Sequence, residues 1–175
     1  GKAAMNGLLA ALLAQKGFTG PSRILEGERG FFRAMAETVD ESRITDRLGE
    51  HFKITENSFK IHASCRHTHP AVDLALKLRQ QSGIRTEELR RIRVGGYRSV
   101  LAITDNPDPQ TVYAAKFSLQ FCVALALVKG RAGLADFSGE TLHDPAVRSL
   151  MERVELTLDP DVDAAYPERW GSSME

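Results

Sequence analysis

The stretch SFKIHASCRHTHPAVDLALKL, residues 58–78, lies where the pattern changes from helices alone to strands and helices. Its first half gathers a lysine, a cysteine and three of the chain's five histidines. Its second half predicts a helix, because Pro70 suits a first helical turn behind Thr68 or His69 as cap, and apolar residues recur at helical spacing. This stretch therefore places titratable chemistry directly beside a core element.

The bulk composition is that of one ordinary domain, or of one domain and a piece of another. Of the 175 residues, 42% are apolar and 26% are charged, and the formal net charge is zero. We therefore expect neither a nucleic-acid partner nor a membrane partner. The longest apolar run, residues 117–128, is too short to span a bilayer. No signal peptide is visible, and Cys65 and Cys122 are expected to be reduced thiols in a cytoplasmic protein.

Both ends of the sequence predict a piece of a longer protein. The helical pattern is already under way at Gly1, and the polar tail after Leu158 has no predicted closing element. Part of an active site is then expected to lie outside these residues.

Before residue 50 the sequence predicts helices alone. An Ala- and Leu-rich helix over 2–16 ends at Gly17, where glycine is typical of a helix stop. Shorter helices are predicted over 22–26, 30–37 and 42–48, the last one capped by Asp40. These segments are typical of part of a helical layer.

From His51 onward strands and helices are mixed. Residues 52–55 and 59–63 alternate like two strands around a turn, and helix 70–81 follows. The remaining predictions are a strand over 92–97, a strongly apolar helix over 111–129, a helix over 145–153 and the strand Val154–Leu158. The predicted fold class is α+β, a helical piece followed by a small α+β layer.

The crowded first half of the opening stretch allows several chemistries. Cys65, His67 and His69 would share one side of an extended segment as a zinc-type ligand set. The alternative is that a histidine caps the helix while the others lie in a loop. Cys65, near histidines and a helix start, is either an activated nucleophile or an inert thiol. Cys122 is predicted to be core.

Lys60 is the remaining candidate. Between Phe59 and Ile61 in a strand, it would point away from the core if its neighbours face inward. Such a lysine could neutralise a substrate carboxylate or act as acid or base, and the alternative is an ordinary solvated side chain.

Four blocks of residues, in order along nearly the whole chain, resemble the MmgE/PrpD family. The first is GKAAMNGL at 1–8 with GFTGP at 17–21, ILEG at 24–27 and GF at 30–31. The second is Phe59, Lys60, Cys65, HPA at 69–71 and Asp73. The third is KFSLQF at 116–121 with ALA at 124–126 and Gly130, and the fourth is Pro145, Val147 and Val154.

The resemblance implies a large all-helical domain, a smaller α+β domain and an active site in the cleft between them, usually in a homodimer. Residues 1–50 would end the helical domain, and residues 51–175 would form most of the α+β domain, incomplete at its C-terminus. A catalytic aspartate and histidine would lie on earlier helices, and a basic segment would lie just before Gly1. The isolated piece is then expected to be inactive.

The activities of the family include 2-methylcitrate dehydratase, cis-aconitate decarboxylase and iminodisuccinate epimerase, so the resemblance implies a small di- or tricarboxylate substrate and no metal or organic cofactor. Lys60 matches the catalytic lysine of this domain, and His62 and Cys65 are expected to line the same substrate site. The decarboxylase has a histidine where this chain has Cys65, and a tyrosine near Leu101. Dehydration is therefore the favoured reaction and epimerisation the alternative, with a non-enzymatic zinc-binding domain as the rival class.

Overall fold

The computed structural model describes residues 1–83 and 85–175, and the chain divides into two compact units, Gly1–Asn57 and Ser58–Glu175. Helices predominate, and a three-stranded mixed sheet lies in the second unit, which confirms the predicted α+β class. The assignment of residues 1–50 and 51–175 to the two family domains stays a prediction.

The first unit is helical. Its elements are α1 (Lys2–Gln15), α2 (Phe31–Met35), α3 (Ser42–Thr45) and a 3-10 turn (Lys53–Glu56). Gly17 has a φ of 85°, a left-handed conformation that glycine adopts without strain, so the predicted end of α1 is confirmed. Residues 22–26 form turns rather than a helix, and α2 and α3 are shorter than expected. As far as the structure describes them, these three helices bury none of their residues.

The second unit carries the sheet and the remaining helices. Its helices are α4 (His69–Ser82), α5 (Arg98–Thr104), α6 (Val112–Ala115), α7 (Leu119–Lys129), α8 (Gly139–Leu142), α9 (Pro145–Met151) and α10 (Pro160–Ala165). Its strands are β1 (Ile92–Gly96), β2 (Val154–Leu158) and β3 (Ser173–Met174). The predicted β2 is confirmed in full, and α4 and β1 differ from their predicted bounds by about one residue.

The sheet has the order β2-β1-β3. Strand β1 pairs in parallel with β2, with Val94 opposite Leu156, and antiparallel with β3, with Val94 opposite Met174. Helix α7 packs against α4, α9 and β2, and its residues from Leu119 to Leu127 are all buried. This helix is therefore the centre of the core, as its apolar sequence predicts.

The structure corrects two predicted strands. Residues 52–55 are not a strand but fall largely in the 3-10 turn, and residues 59–63 are irregular backbone. Both long edges of β1 are occupied by β2 and β3, and the backbone amide of Ala63 donates instead to the carbonyl of Ala132 (3.1 Å). Side chains do alternate between buried and exposed positions here, but in the opposite sense to the expected one. Phe59 and Ile61 are 92% and 81% exposed, while His62 and Ser64 are buried.

The predicted helix over 111–129 is two helices. It breaks before Ser118, whose hydroxyl donates to the carbonyl of Asn106 (2.6 Å) and accepts from the amide of Phe121 (3.0 Å), so Ser118 caps α7. The tail after Leu158 does have closing elements, α10 and β3. A strand of two residues is too short to show the alternation of apolar and polar residues by which strands are predicted from sequence.

Candidate active site

Residues 58–68, the site loop, lead into α4 and carry most of the candidate side chains. The loop is fixed at two backbone amides, where Ala63 donates to Ala132 and Cys65 donates to the carbonyl of Lys116 (2.8 Å). Its last turn is 3-10, and Thr68 stands at the N-cap position of α4 with Pro70 in the first helical turn, as predicted. The loop is therefore irregular in shape but anchored along its length.

Buried hydroxyl groups close the loop. The Thr68 hydroxyl donates to the carbonyl of Cys65 (2.8 Å), and the Ser64 hydroxyl lies 2.8 Å from that of Thr68. Thr68 is fully buried, and Ser64 is 5% exposed. These bonds satisfy polar groups that would be costly to bury alone, so the loop has one preferred conformation here.

Lys60 lies on the exposed part of the loop rather than on a strand. Its ammonium group donates to the carbonyl of Ser64 (3.3 Å), which curls the side chain back over the loop. Among the described residues, no carboxylate lies within ion-pair distance of Lys60. The catalytic role of Lys60 stays a prediction, and its place on an anchored loop is compatible with holding an anion.

His62 is 6% exposed and ties the loop to α4. Its Nε2 lies 2.7 Å from a carboxylate oxygen of Asp73, whose side chain is 66% exposed. The His62 ring also packs edge-to-face on His69, with centroids 5.1 Å apart. This geometry makes His62 an anchor of the loop, and its predicted contact with substrate stays a prediction.

His69 is held in its neutral form by its surroundings. Burial lowers its pKa below the ordinary value of 6.5, and the charges of His62 and Lys60 lower it further. A hydrogen bond to the Ser64 backbone and the charge of Asp73 raise the pKa but do not outweigh these effects. The His69 Nε2 atom is buried and has no hydrogen-bond partner among the described residues.

The two cysteines differ in environment, and both are free thiols. Cys122 is fully buried in α7, and burial raises its pKa to about 12, which makes it an inert core thiol as predicted. Cys65 is half-buried at the start of the 3-10 turn, and its backbone amide makes one of the two hydrogen bonds that anchor the loop. Its contact with substrate stays a prediction.

The structure does not assemble the zinc-type ligand set. Within residues 1–83 and 85–175, no group of three or more His, Cys, Asp or Glu side chains is placed to hold a metal ion. His67 instead hydrogen-bonds through Nδ1 to the hydroxyl of Tyr97 (2.7 Å), while His69 packs on His62. The two imidazoles that the sequence grouped with Cys65 therefore have different neighbours.

An aromatic cluster, made of His67, Tyr97, Tyr166 and Trp170, lies beside the loop. Trp170 stacks on His67 with centroids 4.9 Å apart, and Tyr166 stacks on Tyr97 at 4.1 Å. Burial, with the nearby Tyr166, raises the pKa of Tyr97, so its hydroxyl stays protonated. Sequence reasoning missed this cluster because Tyr166 and Trp170 lie about a hundred residues after His67 and carry no periodic signal.

A shallow pocket of about 230 Å³, the Trp170 pocket, opens next to the loop. Its apolar wall includes Phe59, Ile61 and Trp170, and its polar edge includes Arg66, His69 and Asp73. Leu101, where the resemblance expects a tyrosine in a decarboxylase, is half-buried and packs against the core.

Two family models match the chain. The MmgE/PrpD C-terminal domain matches residues 62–175, and the MmgE/PrpD N-terminal domain matches residues 1–43. No helix among the described residues is both long enough and apolar enough to cross a membrane.

Curated relatives point to the same family. The chain is 27% identical to a cis-aconitate decarboxylase of Homo sapiens over 92% of this chain and 34% of that protein. It is 27% identical to a 2-methylcitrate dehydratase of Salmonella typhimurium over 95% of this chain and 35% of that protein. A mitochondrial 2-methylcitrate dehydratase of Yarrowia lipolytica is 26% identical. The chain thus spans about a third of the length of these relatives, whose named activities are those of lyases.

Proposed function

The chain belongs to the MmgE/PrpD family, and from this premise we propose that it is part of a lyase that removes water from a small polycarboxylate. The proposed substrate is a di- or tricarboxylate of the 2-methylcitrate type, and the proposed active form is a homodimer of the full-length protein. The proposal rests on the named dehydratases among the relatives and on the position of Lys60.

The observation that carries the proposal is the position of the Lys60 ammonium group. It is exposed on a loop that is anchored by two backbone hydrogen bonds and by the His62–Asp73 pair. Its one hydrogen bond among the described residues goes to a neutral carbonyl, that of Ser64, so its charge remains available to an anion. A lysine held in this way presents a point charge to a carboxylate without much further loss of side-chain freedom.

The chemistry explains why a cation is needed. Dehydration breaks a C–H bond next to a carboxylate and a C–O bond on the neighbouring carbon, so that an alkene forms and water leaves. Removal of the proton by a base builds negative charge on the carboxylate oxygens. An ammonium group at those oxygens stabilises the transition state more than the ground state, and this is the role proposed for Lys60.

Two features favour dehydration over decarboxylation. Cys65 stands where the decarboxylase is expected to have a histidine, and Leu101 lies near the position of an expected tyrosine, so this chain has neither side chain at those places. The product distinguishes the reactions directly. An alkene without carbon dioxide indicates dehydration, carbon dioxide indicates decarboxylation, and loss of optical activity without an alkene indicates epimerisation.

The test is Lys60→Met in the full-length protein, assayed against a panel of di- and tricarboxylates by the ultraviolet absorbance of the alkene. Loss of one group that stabilises developing charge is expected to lower kcat/KM about 100- to 1,000-fold. Lys60→Arg, which keeps the charge, is expected to retain part of the activity.

Lys77→Met is the matched control, because Lys77 is an exposed lysine on α4 with no ion pair among the described residues. Its kcat/KM is expected to equal that of the unmodified protein. An unchanged kcat/KM in Lys60→Met would remove Lys60 from the mechanism.

A further inference from the structure

Arg66 is held in place on the site loop by two contacts. Its guanidinium carbon lies 5.0 Å from the centroid of the Trp170 ring, a cation–π distance, and one of its N–H groups donates to the hydroxyl of Ser58 (2.7 Å). Trp170 is itself fixed by stacking on His67. The arginine is therefore oriented before any ligand arrives.

No carboxylate among the described residues lies close enough to Arg66 to neutralise its charge. Arg91, Arg98 and Arg131 each lie within ion-pair distance of a carboxylate. Among the residues that the structure describes, Arg66 has no such partner, and its guanidinium group hydrogen-bonds only to Ser58. A guanidinium has five N–H donors in a planar fork, so most of them remain open to an anion with two oxygens.

The Trp170 pocket gives such an anion a place to bind. Arg66 lines it beside His69, while Phe59 and Ile61 present apolar surface to the same pocket. Asp73 also lines the pocket, but its carboxylate is hydrogen-bonded to His62 (2.7 Å). Lys60 belongs to the same loop, and its charge already acts on His69. Two separate cationic groups are thus carried on one short segment.

We propose that Arg66 binds, in the Trp170 pocket, the carboxylate on the central carbon that a tricarboxylate has and a dicarboxylate such as glutarate lacks, so that the site selects tricarboxylates over dicarboxylates; this inference rests on the proposed function. Lys60 holds the carboxylate next to the reacting carbon. Arg66 forms a forked pair with the carboxylate on the central carbon, and Trp170 supports the guanidinium from its ring face. A ligand without that carboxylate leaves Arg66 unpaired and loses the interaction.

The test compares two unreactive ligands that differ only in one carboxylate, tricarballylate and glutarate, by titration calorimetry on the full-length protein. The unmodified protein is expected to bind tricarballylate more tightly. Arg66→Met is expected to weaken tricarballylate binding about ten- to a hundredfold and to leave glutarate binding unchanged. Arg66→Lys keeps the charge but loses the fork, so its affinity for tricarballylate is expected to lie in between.

Arg90→Met is the matched control, because Arg90 is an exposed arginine of the same unit and is not among the residues that line the Trp170 pocket. It is expected to keep the full preference for tricarballylate. A thermal unfolding curve of Arg66→Met that matches the unmodified protein shows that the variant is folded.

Three results would overturn the inference: no preference in the unmodified protein, the same preference in Arg66→Met, or an equal loss for both ligands. The readout is binding and not turnover, so it separates this inference from the proposed reaction. If Arg66→Met loses the preference while no polycarboxylate is dehydrated, the reaction is wrong and the role of Arg66 stands. If Lys60→Met abolishes dehydration while Arg66→Met binds like the unmodified protein, the reaction stands and the role of Arg66 is wrong.

Discussion

Helix α7 and the site loop belong to the same unit but are held by different forces. The nine residues from Leu119 to Leu127 are buried one after another, and nearly all of them are apolar. In the site loop the buried side chains are polar, namely those of His62, Ser64 and Thr68, while Phe59 and Ile61 are exposed. The helix is held by the non-directional burial of apolar area, and the loop by directed hydrogen bonds.

Because of this difference, helix α7 mainly contributes to folding stability, and the site loop mainly positions charged groups. A helix that is apolar on all sides contributes to folding wherever it is buried, because burial depends on area rather than on one partner. A loop held by hydrogen bonds keeps its charged groups at set positions, which is what binding a carboxylate requires. Substitutions in the two regions should therefore change different measured quantities.

The largest effect on stability is expected from Phe121→Ala in α7. Phe121 is fully buried and lies 6.0 Å, centroid to centroid, from Phe137. Removing the ring leaves a cavity and is expected to lower the free energy of unfolding by about 3–5 kcal/mol, measured by urea denaturation. Phe59→Ala in the site loop is the matched control, since that ring is 92% exposed and its removal should change stability by less than about 0.5 kcal/mol. Equal losses in the two variants would contradict the contrast between the regions.

A smaller and more local effect is expected from Asp73→Asn. The change keeps the shape of the side chain but removes the charge that strengthens the bond to His62, at a cost of about 1 kcal/mol because Asp73 is largely exposed. The loop, not the core, should loosen. Hydrogen exchange is expected to speed up at the amides of Ala63 and Cys65, which bond outside the loop, and to stay unchanged along α7.

Asp161→Asn serves as the control for Asp73→Asn, since the Asp161 side chain is exposed in the first turn of α10. It should leave exchange at both loop amides unchanged. Faster exchange throughout α7 in Asp73→Asn would mean that the pair supports the whole unit, and the separation of loop from core would be wrong.

The same contrast explains what the sequence could predict. The bounds of β2, the burial of α7 and the start of α4 follow from local apolar spacing, Pro70 and the neighbouring cap position. The conformation of the site loop does not follow from such local patterns. Its apolar and polar residues alternate as in a strand, yet its apolar residues face outward. Its partners Lys116 and Ala132 lie about 50 to 70 residues further along the chain, beyond any local pattern.

The candidate site divides in the same way. Lys60 was singled out by residue type and by resemblance, and the structure places it on an anchored loop instead of a strand. The sequence does not distinguish Arg66 from the other charged residues. Its orientation depends on a contact with Trp170, which lies near the end of the sequence. The described residues do not assemble the zinc-type ligand set, because His67 hydrogen-bonds to Tyr97, another partner that spacing does not reveal.

The smallest expected effect is a pH dependence of stability from His69. Its pKa is lowered in the folded state, mainly by burial, so near pH 6.5 the unfolded chain binds a proton at His69 more readily than the folded chain does. The unfolded state is therefore favoured as the pH falls, and the contribution of neutral His69 is fully present above pH 6.5 and is lost below it. His67 acts in the same direction, because burial lowers its pKa too.

The measurement is the free energy of unfolding between about pH 7.5 and pH 5 for the unmodified protein and for His69→Asn. The unmodified protein is expected to lose stability toward acid more steeply than the variant, and the difference in slope between the two curves should appear only below about pH 6.5. Parallel curves would show that the folded loop accepts a proton at His69 as readily as the unfolded chain does. Such a result would remove the electrostatic part of the contrast, because it would show that neither burial nor the charges of His62 and Lys60 disfavour a proton on His69.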